Sequence, residues 1–324
     1  MTVGYTVITD MIGNIEGMMK KLEKQNTTKQ RILYLSLVLG TCYLLFGAAL
    51  LIKNDIGHSV YGILQKGFTA FPVLAVLITR KITKDKSPWR FSLKVWKRPG
   101  LWLFCAFVPG ILIALGAGLY FMIFPEAFSG SFHYGGLFTL AGAEAEGVMQ
   151  LDSPVQFWIV TIAISAVFIP IQLLELGEEI GWREYLLPKQ IERYGLRRAV
   201  LVNGLLWGIA HMPLIYFGFN YSLDNPGAPW SNMVMMLLVC MTLGIILSYV
   251  MVISGNVMYP AIVHGVVNVI GEVAVYLSVT EKSGLLGPNP TGLIGMSGLI
   301  LCAAVMFCKI STGFSLQNLK SMVN

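Results

Sequence analysis

Charge is scarce in this sequence. Only 12% of its 324 residues are Asp, Glu, Lys or Arg, against 55% that are hydrophobic. Several apolar stretches run close to twenty residues, the length a helix needs to cross about 30 Å of hydrocarbon. Soluble domains do not repeat that pattern, so the expected fold is all-α, a polytopic membrane protein. A disulfide framework is excluded as well. The five cysteines, Cys42, Cys105, Cys240, Cys302 and Cys308, are odd in number and scattered through apolar segments. They read as small hydrophobes rather than as bridges or a Cys-based metal site. No apolar core follows the charges of residues 1–30, so a cleavable signal peptide is not expected. No repeat or low-complexity tract is visible.

About eight transmembrane helices are expected, over 32–52, 60–79, 100–124, 154–176, 199–217, 232–253, 257–279 and 291–308. The fourth is expected to run on as a helix to about Leu187, where Pro188 stops it. Together they make one membrane domain over 31–310, with a motif core at 170–275. Residues 1–30 form a flank in which Ile8, Ile12, Ile15, Met19 and Leu22 recur at helical spacing before Lys20, Lys21 and Lys24. The flank reads as an amphipathic helix on an anionic membrane surface, or as a loosely ordered polar segment. Residues 311–324 form a tail.

The net charge of +6 is a topology signal before it is a nucleic-acid one, and no nucleic-acid partner is expected. The N-terminal flank with Arg31, 80–98, 183–198 and the tail with Lys309 hold 20 of the 23 basic residues; Lys53, Lys66 and Lys282 are the others. The positive-inside rule therefore places both termini in the cytoplasm. The 126–152 segment has no Lys or Arg and is read as an outer loop, with Glu144, Glu146 and Asp152 solvated.

Ionisable groups inside apolar spans are costly, and by default they mark function. The run from Glu175 to Arg183 places three carboxylates at the end of the fourth span. Glu179 and Arg183 are four apart and share a helix face as an ion pair. Glu178 points elsewhere and is the candidate general base. Folding the fourth and fifth spans into a hairpin about Gly195 brings Glu178 level with His211. The same fold sets Gly177 and Gly181 against Gly208 and Gly204. In the seventh span His264 and Asn268 are four apart, and Glu272 continues their face. Two N–H donors aimed at one point suit the oxyanion of acyl transfer. Pro170, Pro213 and Pro260 lie near these residues and would kink or open their helices. The blander alternatives are a structural polar cluster and histidines that serve only as interhelical hydrogen-bond glue.

Three motifs in this order resemble one family. Glu178-Glu179-Ile180-Gly181-Trp182-Arg183 matches E-E-x-x-x-R, Trp207 to His211 is similar to an aromatic-x-x-x-H motif in which Phe is usual, and His264 to Asn268 matches H-x-x-x-N. This is the pattern of the CAAX protease and bacteriocin-processing (CPBP, or Abi) family of intramembrane glutamic endopeptidases, related to the Ras-converting CAAX endopeptidases. The resemblance implies that Glu178 and His211 activate water, His264 and Asn268 form the oxyanion hole, and Glu179 with Arg183 supports the helix. It implies an endopeptidase of a bacterial plasma membrane, acting without a cofactor near the cytoplasmic face on a peptide or membrane-associated protein.

Rival readings remain open. One Glu and two His could fill three zinc positions, although no H-E-x-x-H spacing is present. A non-catalytic scaffold or immunity protein, or a proton-coupled transporter, would also carry intramembrane Glu and His.

Overall fold

The computed structural model describes the backbone of residues 2–51, 67–128, 153–167, 169–271, 273–278 and 284–312. Lys53, Lys66, Lys282, the 60–66 part of the second span, most of the 126–152 loop, Glu272 and the tail beyond Thr312 lie outside the described residues. So do the side chains of 1–25. Helix follows helix, and an isolated bridge between Phe128 and Ser278 is the one β pairing among the described residues. The chain is an all-α, polytopic integral membrane protein.

Helix α1 (Thr2–Leu51) is continuous, so the flank runs into the first span without a break. Helix α2 (Ala70–Thr83) leads through the 84–98 strap to α3 (Pro99–Ile123). The span expected over 154–176 is divided between α4 (Pro154–Val167) and α5 (Ile169–Glu179), with Pro170 in the first turn of α5. Four stretches among the described residues are long and apolar enough to cross a membrane: Asn26–Leu51, Pro99–Ile123, Leu196–Tyr216 and Trp230–Ser254. Met258–Gly271 and Ser297–Ile310 are apolar but shorter.

Pro188 does not end the fourth helix. After Glu179 the backbone widens into a π-helix over Ile180–Leu186, then tightens into α6 (Leu187–Tyr194) with Pro188 in its first turn. Gly195, at φ 75°, makes the reversal into α7 (Leu196–Tyr216). Few residues but glycine take that conformation without strain. Pro213 lies inside α7, which continues to Tyr216.

The glycine pairing expected across this hairpin is not what forms. A Cβ at Gly177 would strike the Thr69 carbonyl, and one at Gly181 would strike Pro72 and the Tyr34 hydroxyl, so these two glycines admit α1 and α2. Gly204 and Gly208 instead face α8 (Trp230–Ser254): a Cβ at Gly204 would lie 3.0 Å from Met241 Cα, and one at Gly244 3.0 Å from Gly204 Cα. Each small-residue pair does permit close helix approach, but with a third helix rather than with the other pair.

At the centre stands α9 (Met258–Gly271), packed against α3 and α5 and buried at almost every residue. Helix α10 (Ser297–Thr312) closes the bundle against α3 and α8. The main core gathers Tyr34, Ile113, Trp182, Trp207, Leu247 and Val263 from six helical segments.

Candidate active site

Three helical units deliver the polar groups. The end of α5 supplies Glu175, Glu178 and Glu179, and the π segment adds Arg183. Helix α7 supplies Trp207 and His211, and α9 supplies His264 and Asn268. Glu178, His211, His264 and Asn268 line one cavity of about 550 Å³, together with Glu175 and Trp207. Glu178 and both histidines are otherwise buried, whereas Asn268 is exposed to the cavity space.

Glu179 and Arg183 are fully buried, with Arg183 Nη1 3.0 Å from Glu179 Oε1. Glu178 takes no part in that pair. Glu179 does more than hold its own helix, because the same Oε1 lies 2.9 Å from His264 Nδ1. A carboxylate can only accept, so Nδ1 carries a proton there. The His264 Nε2 edge faces Glu175 Oε2 at 3.6 Å. Donation from Nε2 therefore requires a second proton on the ring.

His211 is arranged differently. Its Nδ1 lies 2.9 Å from the Trp207 carbonyl oxygen, which assigns the proton to Nδ1 and leaves the Nε2 lone pair available. Packed against Phe68 and Trp207, the ring has two apolar neighbours.

Trp207, standing where Phe is usual in the motif, links these groups. Its Nε1–H donates to Glu178 Oε2 at 2.7 Å. The Arg183 guanidinium carbon sits 4.1 Å from the indole centroid, within cation–π range. Both imidazoles meet the indole edge-on, with centroids 5.3 Å away for His211 and 5.2 Å for His264. The signal was present: indole is a donor and phenyl is not.

The donor set anticipated for zinc, one Glu and both histidines, is not the set brought together. Among the described residues, ligand atoms of Glu175, Glu178 and His264 lie within 4.8 Å of one another. His211 is not in that group.

The site lies far from the basic end of the bundle. Thr69, just before α2, touches Gly177, and the 14 residues of α2 separate it from the strap. At about 1.5 Å per residue that is about 20 Å. The cavity extends the other way, to exposed Asn220 and Ser222 between α7 and α8, and to Gly284, Gly287 and Thr291 before α10.

Residues 154–270 match the family described as Type II CAAX prenyl endopeptidase Rce1-like. The matched segment contains every motif residue above. Over this segment the chain is similar to the CAAX-protease family. A curated relative, CAAX prenyl protease 2 of Methanococcus maripaludis, is 24% identical over 155 residues, which cover 46% of this chain and 55% of the relative. The chain thus spans about half the length of the curated relative it matches. Within the CAAX-protease motifs, the π segment carries Ile180 to Arg183, an example of the π geometry often found at functional sites.

Proposed function

We propose that this chain is an intramembrane endopeptidase that hydrolyses a peptide bond with water activated by Glu178 and His211. The observation that carries the reading is the convergence of Glu178, His211, His264 and Asn268 on one cavity. A water between the Glu178 carboxylate and the His211 Nε2 lone pair gives up a proton as its oxygen attacks the scissile carbonyl carbon. Charge moves to the carbonyl oxygen, where Asn268 and doubly protonated His264 donate hydrogen bonds. The C–N bond then breaks, and the proton taken from water passes to the leaving amine. Glu179 fixes the His264 ring, and Arg183 neutralises Glu179. The family match and the relative's name both support peptide hydrolysis.

The substrate is a peptide or membrane-associated protein. Phe68, Leu214, Met236, Val239 and Leu299 give the cavity an apolar wall, which suits a substrate bearing a hydrocarbon group, as the relative's name suggests. The substrate reaches the site from the end carrying Asn220 and Ser222, where the cavity is lined by exposed residues. A bacterial plasma membrane is the expected location.

A divalent metal is the second reading, and one observation favours it. Glu175, Glu178 and His264 present ligand atoms together, and Glu179 receives the other His264 N–H, as carboxylates do behind metal-bound histidines. These residues fit zinc, which would supply Lewis-acid activation of water. Glu179 would still fix the ring, and Asn268 would still face the substrate.

The deciding experiment is a peptidase assay in detergent with parent and Glu178→Gln, each with and without chelator. Activity that survives chelation and falls about a hundredfold or more in Glu178→Gln supports the first reading. Loss on chelation with recovery on zinc supports the second. A parent and variant equally inert on every peptide, yet equally active in cells, would make the protein a scaffold.

A further inference from the structure

The strap between α2 and α3 is built with two unlike faces. Residues 80–98 contain eight Lys or Arg against one acidic residue, Asp85, and Asp85 is already paired with Lys189 at 3.4 Å. Lys84, Lys86, Lys94 and Lys97 are exposed and have no ion pair among the described residues. Trp89, Phe91, Leu93 and Trp96 are exposed between them, Trp96 by 66%. Four large apolar side chains so close together need a partner surface.

The opposite face is bolted to the protein. Arg90 N–H donates to Glu184 Oε1 at 3.2 Å, and the Arg90 carbonyl accepts from Val257 N–H at 2.8 Å. Ser92 and Asn256 exchange two hydrogen bonds, of 3.0 and 2.8 Å. The Tyr259 hydroxyl donates to the Val95 carbonyl at 2.9 Å, and Arg98 Nη1 to the Ile253 carbonyl at 2.7 Å. These bonds leave the alternate residues Trp89, Phe91 and Leu93 pointing outward on a backbone that is held in place. The outward face is a fixed feature of the fold.

We propose that this strap is a binding surface for anionic phospholipid, its aromatic and leucine side chains in the acyl boundary and Lys86, Lys94 and Lys97 on the headgroups. The strap leads into α3, which is long and apolar enough to cross a membrane, so a leaflet interface is the medium beside it. Trp with Lys is the composition that settles at headgroup level. The excess of positive charge selects anionic headgroups over zwitterionic ones, each lysine contributing about fivefold in affinity. A water-soluble acidic protein would satisfy the lysines but would not account for the four apolar groups at the level of the helix ends. The anchors give the surface reach: Glu184 adjoins Arg183, and Tyr259 is in the helix that carries His264.

The test is independent of any peptidase activity. The full chain is placed in nanodiscs in which a fixed fraction of the lipid is brominated phosphatidylglycerol or brominated phosphatidylcholine. Fluorescence quenching is compared between parent and Trp96→Phe, the difference being the Trp96 share. Brominated phosphatidylglycerol is expected to quench that share several-fold more than phosphatidylcholine at equal fraction. The Lys86→Gln/Lys94→Gln/Lys97→Gln variant is expected to remove the excess while its melting temperature stays within a few degrees. Should that variant not fold, about 1 M salt added to the parent is expected to remove the excess instead. Equal quenching by both lipids in the parent, or no Trp96-dependent quenching by either, overturns the proposal; the latter result would put the strap against water or a protein.

Discussion

The indole N–H of Trp207 and the Glu178 carboxylate form a 2.7 Å hydrogen bond inside the cavity. A donor this close to an acceptor-only group fixes which way the candidate base points. Replacing Trp207 with Phe keeps an aromatic ring beside His211, His264 and Arg183 and removes only the donor. Hydrogen bonds to charged groups contribute about 1.5–3 kcal/mol, so kcat is expected to fall by about ten- to a hundredfold. KM should change little. Steady-state kinetics checks this, and a variant with the parent's kcat would show that the bond does not serve catalysis.

Arg183 is expected to be a folding residue first. Arg183→Ala leaves Glu179 fully buried with only His264 to answer it, and breaking a buried pair costs about 3–5 kcal/mol. Yield and melting temperature should drop sharply. Arg183→Lys should restore only part, since an ammonium lacks the planar group that lies over Trp207. A melting temperature unchanged in Arg183→Ala would remove the structural role.

His264→Ala and Asn268→Ala are each expected to raise the barrier by about 3 kcal/mol, the scale for losing one oxyanion donor. Because both serve a single oxygen, the double variant should lose less than the sum. Full additivity in kcat/KM would place the two residues in separate tasks.

Sidedness has a direct readout. With Cys308 replaced by Ser, single cysteines at Lys86 and Ser222 should react with a membrane-impermeant maleimide from opposite sides of a sealed vesicle. Both positions are exposed, one in the strap and one at the cavity mouth. Labelling of both from one side would contradict the helix connectivity described here.

What could be read from the sequence was whatever four-residue spacing determines. The Glu179–Arg183 pair and the shared face of His264 and Asn268 are consequences of helix period, and they need no knowledge of neighbouring helices. The contact from His264 to Glu179 joins residues 85 positions apart, and no local period reports it. The glycines show the same limit. Their spacing announces a close approach, yet Gly177 meets Thr69 and Gly204 meets Met241, partners chosen by the packing of the whole bundle. Pro188 misled for a related reason. Proline lacks one N–H, but here the widened π backbone before it carries the helix past Pro188 to Tyr194.

That π segment sets a further condition on the molecule. Each π turn holds more residues than an α turn, so Ile180–Leu186 amounts to an α-helix with a surplus residue. Deleting one residue here would let the backbone relax to the tighter form. The residues inside the segment would then shift around the helix axis, while α6 kept nearly its present phase. Arg183 would swing away from Trp207, and Glu184 away from the strap. A chain shortened in this way should be easier to fold and have no working site. The cavity's geometry therefore depends on the length of this stretch as much as on the residues in it.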